Sequence, residues 1–128
     1  MGYFLENETY LLNGCCMKVH SELGNGFLEK VYQEALEIEF KESGIPFVRE
    51  ARLRISYRGH QLAQEYIADF VCYDNIILEI KAVSSLNEVH TAQLLNYLKA
   101  TGLKLGILVN FGESSLVIKR VYNFNSKN

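Results

Sequence analysis

Asp69, Glu79 and Lys81 set two carboxylates and an amine in the pattern D-x9-E-x-K. Residues 65–71 and 76–81 are apolar runs that read as neighbouring strands, with Tyr73-Asp74-Asn75 as the turn between them. Side chains two apart on a strand share a face, so Glu79 and Lys81 project together. A hairpin pairing of the two runs puts Asp69 across from Glu79. Charge in strands this apolar is costly to bury without compensation. Two hard oxygen donors beside an amine are what a divalent cation and an attacking water need. The expected cofactor is therefore Mg²⁺, or Mn²⁺, held by Asp69, Glu79 and the Ile80 carbonyl, with Lys81 beside the water or a phosphate. An isolated E-x-K reads more simply as an ion pair on an exposed strand. Here the strand is otherwise apolar and Asp69 is one of two aspartates in the chain, which favours the site.

The elements that must position these groups follow from periodicity. Leu11, Leu12, Cys15, Cys16, Val19 and Leu23 recur at helical spacing over 8–23, until Gly24-Asn25-Gly26 interrupts. A second amphipathic helix is expected over 27–43, stopped by Gly44 and Pro46. Residues 47–57 alternate as a strand, with Phe47, Ala51, Leu53, Ile55 and Tyr57 on one face and Arg52 and Arg54 on the other. Arg58-Gly59-His60 turns the chain back toward the Asp69 strand. After Lys81, Ser84 and Ser85 offer caps for a helix over 86–101 that Gly102 closes. Residues 103–110 are nearly all apolar, as in a strand covered on both sides, and 115–122 gives a last strand. The order is helix, helix, a three-strand meander, helix, strand, strand. That order specifies an α/β class: a mixed sheet flanked by helices, expected as one domain over 1–128.

Composition sets broad limits. The net charge of −2 gives no global basic field, which weakens a nucleic-acid partner without removing it, because a groove can be locally basic. Cys15, Cys16 and Cys72 have neither zinc spacing nor the pairing of a disulfide framework. They suit a reducing, cytoplasmic setting. No secretory leader pattern and no run of membrane-spanning length is read, so no membrane partner is expected. His20 and His90 lack ligand spacing.

The element order, with D-x9-E-x-K on the second and third strands, resembles the PD-(D/E)XK nuclease superfamily and its restriction-endonuclease-like fold. Residues 26–32, Gly-Phe-Leu-Glu-Lys-Val-Tyr, also match G-x-x-E-x-x-Y, the signature of the bacterial GxxExxY family grouped within that superfamily. Gln93-x3-Tyr97 is similar to a motif of recombination-type exonucleases of the same superfamily. The resemblance spans about 12–122, and it departs from the name at Ala68, which replaces the proline before Asp69.

The resemblance implies metal-assisted hydrolysis of phosphodiester bonds in nucleic acid, with DNA favoured over RNA. It implies Glu29 as a further ligand, directly or through water, and Gln93 beside the metal, with Tyr97 one helical turn on as a positioning group. Read without it, Glu29 is a first-turn glutamate complementing the helix dipole and Tyr32 a core tyrosine. Arg52 and Arg54 could track a phosphate backbone or form the solvated face of an edge strand. Two alternatives stay open: a non-catalytic binding module that keeps the fold, and a subunit acting as a homodimer or with a partner protein.

Overall fold

In the computed structural model, which describes residues 4–124, the chain folds as α1 (Glu6–Leu23), α2 (Glu29–Glu42), β1 (Phe47–Tyr57), β2 (His60–Cys72), β3 (Ile76–Lys81), α3 (Glu88–Thr101), β4 (Leu105–Asn110) and β5 (Val117–Tyr122). This is the expected order. The sheet runs β1-β2-β3-β4-β5. Neighbours are antiparallel except β3 and β4, which are parallel and joined through α3. Parallel strands need such a crossover because a tight turn cannot return the chain to the same end.

Two cores explain why β3 and β4 are buried almost throughout. On one face, Leu12 and Cys16 of α1 and Tyr32, Leu36 and Phe40 of α2 pack on Phe70, Leu78, Ile80, Ile107 and Val109. On the other, Leu94, Tyr97 and Leu98 of α3 pack on Leu53, Ala68, Ile77 and Leu108. Leu116 and Ile118 lie against the first core and Val121 is buried in the second, so the apolar residues around β5 belong to the cores. Cys15, Cys16 and Cys72 are buried and unbridged, and burial raises the thiol pKa of each. Among the described residues no helix is long and apolar enough to cross a membrane.

Several boundaries move by about two residues from the sequence reading, among them the starts of α1, β4 and β5, and three of the differences have a clear physical cause. β2 begins at His60, not at residue 65, because its first five residues are exposed and carry no apolar alternation; pairing with β1 alone makes them a strand. α2 begins at Glu29, after an extended Leu28. α3 is capped by Asn87 rather than Ser84 or Ser85. The Asn87 side chain accepts from the Val89 and His90 amides, and His90 Nδ1 accepts from the Asn87 amide. This is a capping box closed by histidine instead of glutamate.

Asn110, fully buried at the end of β4, braces the segment that leaves β3. Its Nδ2 donates to the Val83 carbonyl at 2.9 Å and to Glu113 Oε2 at 2.8 Å, while its Oδ1 accepts from the amides of Val83 and Gly112. Gly112 permits this close approach. A Cβ there would stand 2.3 Å from the Val83 carbonyl oxygen and 2.4 Å from its nitrogen. At Gly106 the nearest atoms to a Cβ would instead all belong to the Leu94 side chain, at 2.8–2.9 Å, rather than to the backbone. Gly112→Ala is therefore expected to destabilise by about 3 kcal/mol or more and Gly106→Ala by about 1–2 kcal/mol. Urea midpoints at unchanged m-value would show this, and equal losses would contradict it.

Candidate active site

The β1–β2 ribbon turns over at Glu50 and Asp69. On β1, Phe47 packs toward the α1–α2 core and Arg49 reaches Glu37 of α2, whereas Leu53, in the same alternation, packs under α3. On β2, Phe70 and Cys72 face the α1–α2 side. Ala68, in their alternation, lies in the α3 core, and the Tyr66 ring sits against Tyr97. Glu50 makes the turn in the left-handed region at φ 52°, a conformation that strains any residue but glycine.

This roll opens the sheet at the charged positions. The β2–β3 ladder pairs Phe70 with Leu78, Val71 with Ile77 and Cys72 with Ile76, and stops there. One step further, the carboxylates take over the unpaired amides. The Asp69 amide donates to Glu79 Oε2 at 2.6 Å, and the Ile80 amide donates to Asp69 Oδ2 at 2.7 Å. Buried backbone donors need partners, and here each strand's acid supplies one to the other strand. The expected meeting of Asp69 and Glu79 is therefore realised as a reciprocal clasp.

Burial dominates the electrostatics of the clasp. Glu79, 6% exposed, is pushed from an ordinary 4.5 up to about 8, first by desolvation and then by the Asp69 charge, against the opposing Asp69 amide and Lys81. Asp69 is raised as well, by desolvation, with the Ile80 amide pulling it down; Glu29 raises it further, and Lys81 and Lys30 lower it. The amide bonds and the lysine together do not outweigh the loss of water. Both shifts favour the protonated form of the pair.

The remaining expected residues divide. Lys81 is half-buried beside Glu79 in the strand pattern, and its charge acts on both acids. Glu29 is exposed in the first turn of α2 and reaches the pair through its charge. Among the described residues no group of three or more His, Cys, Asp or Glu side chains gathers closely enough to hold a metal ion. Tyr97 is buried beside the clasp: desolvation, then the charges of Glu79, Asp69 and Tyr66, push its phenol up to about 12, so it stays a neutral donor. Gln93 is exposed one turn earlier on α3. Arg52 and Arg54 lie on the alternation opposite Leu53 and both pair with Glu65, at 3.6 and 3.8 Å. Those two arginines are not gathered with the carboxylates. Tyr32 is a core residue: its hydroxyl donates to the Gly24 carbonyl at 2.6 Å, accepts from the Phe27 amide at 3.2 Å, and its ring stacks on Phe111. It thereby fixes the loop that delivers Glu29.

Gln33 escaped the sequence reading. It is 1% exposed, its Nε2 donates to the Asp69 carbonyl at 3.3 Å, and its Oε1 accepts from Lys30 Nζ and Arg49 Nη2 at 3.3 Å. The available signal was an uncharged polar residue one turn after Glu29, directly following core residue Tyr32 on an amphipathic helix. Lys30 also pairs with Glu50 at 3.4 Å, so α2 holds both residues at which the ribbon turns over.

Comparison with known proteins bears on the family and the fold. A family model described as the PD-(D/E)XK nuclease superfamily matches residues 6–121. An alkaline exonuclease from Laribacter hongkongensis superposes with a TM-score of 0.55 at 11% identity, over 98% of this chain and 73% of that one, a likeness of fold. No curated protein matches the chain.

The raised acid fixes a pH dependence of stability. Below 4.5 Glu79 is protonated whether folded or not; between 4.5 and about 8 the folded state keeps a proton that the unfolded chain has released. The folded state then binds more protons, so stability falls as pH rises through this window. In metal-free buffer the urea midpoint should drop from pH 5 to pH 8, and Glu79→Gln should flatten most of that slope. A wild-type midpoint independent of pH would contradict the buried, raised acid.

Proposed function

The chain belongs to the PD-(D/E)XK nuclease superfamily, and on that premise we propose that it hydrolyses phosphodiester bonds in nucleic acid with a divalent cation, Mg²⁺ or Mn²⁺. The observation that carries this reading is the clasp of Asp69 and Glu79. The donor set fits the ion. Both acids are hard oxygen donors, each commits one oxygen to a backbone amide, and their mutual repulsion favours a cation between them. Asp69, Glu79 and the Ile80 carbonyl would hold it, with Glu29 adding negative charge from the start of α2. When bound, the ion supplies Lewis acidity toward a phosphate oxygen and its water.

The chain's own residues do the rest. Lys81 projects beside Glu79, where its ammonium orients the attacking water or steadies the charge that grows on the phosphate in line with it. Gln33 fixes the main chain of Asp69, so the carboxylate is held before substrate arrives. Tyr97, kept neutral, donates toward a phosphate oxygen, and Gln93, one turn away, faces the incoming strand. Arg52 and Arg54, on the outer side of the ribbon, would meet a backbone that wraps past the site. Gly26, Glu29 and Tyr32 support placement in the GxxExxY group. The partner is DNA in preference to RNA, the setting cytoplasmic, and the domain a single unit.

Purified protein with Mg²⁺ or Mn²⁺ should degrade DNA, and Lys81→Ala should lower the rate by about 10²-fold or more with its thermal midpoint retained. Asp69→Asn should weaken Mn²⁺ binding in calorimetry. Wild-type cleavage by Lys81→Ala would overturn the role of that lysine. Mn²⁺ binding indifferent to Asp69→Asn would favour a binding module that has kept the fold.

A further inference from the structure

Among the described residues the half of β2 before Asp69 has no ladder partner on its β3 side, and it carries an aromatic ring that packs on α3. Tyr66 is 36% exposed, and its ring lies against Tyr97 with centroids 4.8 Å apart at 37°. Tyr97 in turn stands close enough to Glu79 and Asp69 to feel their charges. Tyr66 is thus joined to the two carboxylates through the buried Tyr97 ring. Tyr66 stands three residues from Asp69, about 10 Å along the strand, so a base on its ring would belong to the same short stretch of strand as a phosphate at the acids.

We propose that Tyr66 is a base-stacking platform beside the clasp, so that the protein takes single-stranded nucleic acid or frayed ends, whose bases are unpaired, in preference to closed duplex. This rests on the nuclease reading above. A closed duplex hides its base faces and is gripped through its phosphates, in proportion to the cations available. This chain offers few near the site: Arg52 and Arg54 stand on the outer side of the ribbon, away from the acids, while Arg49 pairs with Glu37 and Lys30 with Glu50, on a net charge of −2. Stacking on an aromatic needs no such field and accepts any base. Tyr97 behind the ring limits its rotation, so little freedom is lost when a base settles on the outer side.

The test compares single-stranded DNA with a hairpin-closed duplex of the same sequence, cleaved in Mn²⁺ by wild type, Tyr66→Phe, Tyr66→Leu and Tyr66→Trp. Wild type should prefer the single strand. Tyr66→Leu should lose about 5- to 100-fold in kcat/KM on it, mainly through KM, with little change on the duplex. Tyr66→Phe should keep the preference. The chain contains no tryptophan, so Tyr66→Trp introduces a sole indole reporter whose fluorescence single-stranded DNA should quench, a gain that misfolding cannot mimic. Equal cleavage of both substrates by wild type, an unchanged preference in Tyr66→Leu, or no quenching in Tyr66→Trp overturns the platform while leaving the nuclease reading intact. Absence of cleavage by wild type defeats the nuclease reading and the platform with it.

Discussion

Everything at the candidate site depends on one exchange: the acid of each strand accepts the amide that the other strand leaves unpaired. Charge-assisted bonds of this kind are worth roughly 1.5–3 kcal/mol each, yet both acids still titrate above their ordinary values. Desolvation therefore exceeds what the two bonds return, and the strands are joined at this point by groups whose charged forms are disfavoured. Two acids that repel each other in a dry setting favour an arriving cation more than two solvated ones would.

The rest of the fold braces this exchange from three sides. α2 contributes Gln33 to the Asp69 carbonyl and Lys30 to Glu50, the left-handed residue at which the ribbon turns over. Tyr32 ties down the loop that delivers the first turn of α2. Asn110 and Gly112 lock the segment leaving Lys81 against the end of β4. α3 closes the other face with Tyr97. None of these partners is near Asp69 in sequence; the parallel pairing of β3 with β4 and the α2–sheet packing bring them there.

How much of this was legible in the sequence follows from the kind of signal each part leaves. Buried β3 and β4 announce themselves as unbroken apolar runs, and charges embedded in β3 stand out against them, so the Asp69–Glu79 pairing and the element order could be read directly. The first five residues of β2 leave no such trace, since an arm exposed on both faces has no reason to alternate. The cap of α3 was misplaced because Ser84 and Ser85 fit the rule as well as Asn87 does, and only the His90 side chain returning to the Asn87 amide distinguishes them. The ribbon's change of face was invisible for a different reason: alternation in Phe47, Arg49, Ala51 and Leu53 continues unbroken in the letters while the backbone at Glu50 rotates beneath it. Gln33 became meaningful only once its carbonyl partner was known.

The turned-over ribbon has a second consequence, for self-association. β1 is an outer strand of the sheet and eleven residues long, the sort of open edge on which another chain can build a cross-strand ladder. The left-handed Glu50 and the register shift between Arg54 and Ser56 break that edge into short straight pieces, the longest continuous pairing being the four residues 51–54. Arg52 and Arg54 add charge to that piece. The backbone strain that opens the sheet for two carboxylates also denies a growing aggregate its template.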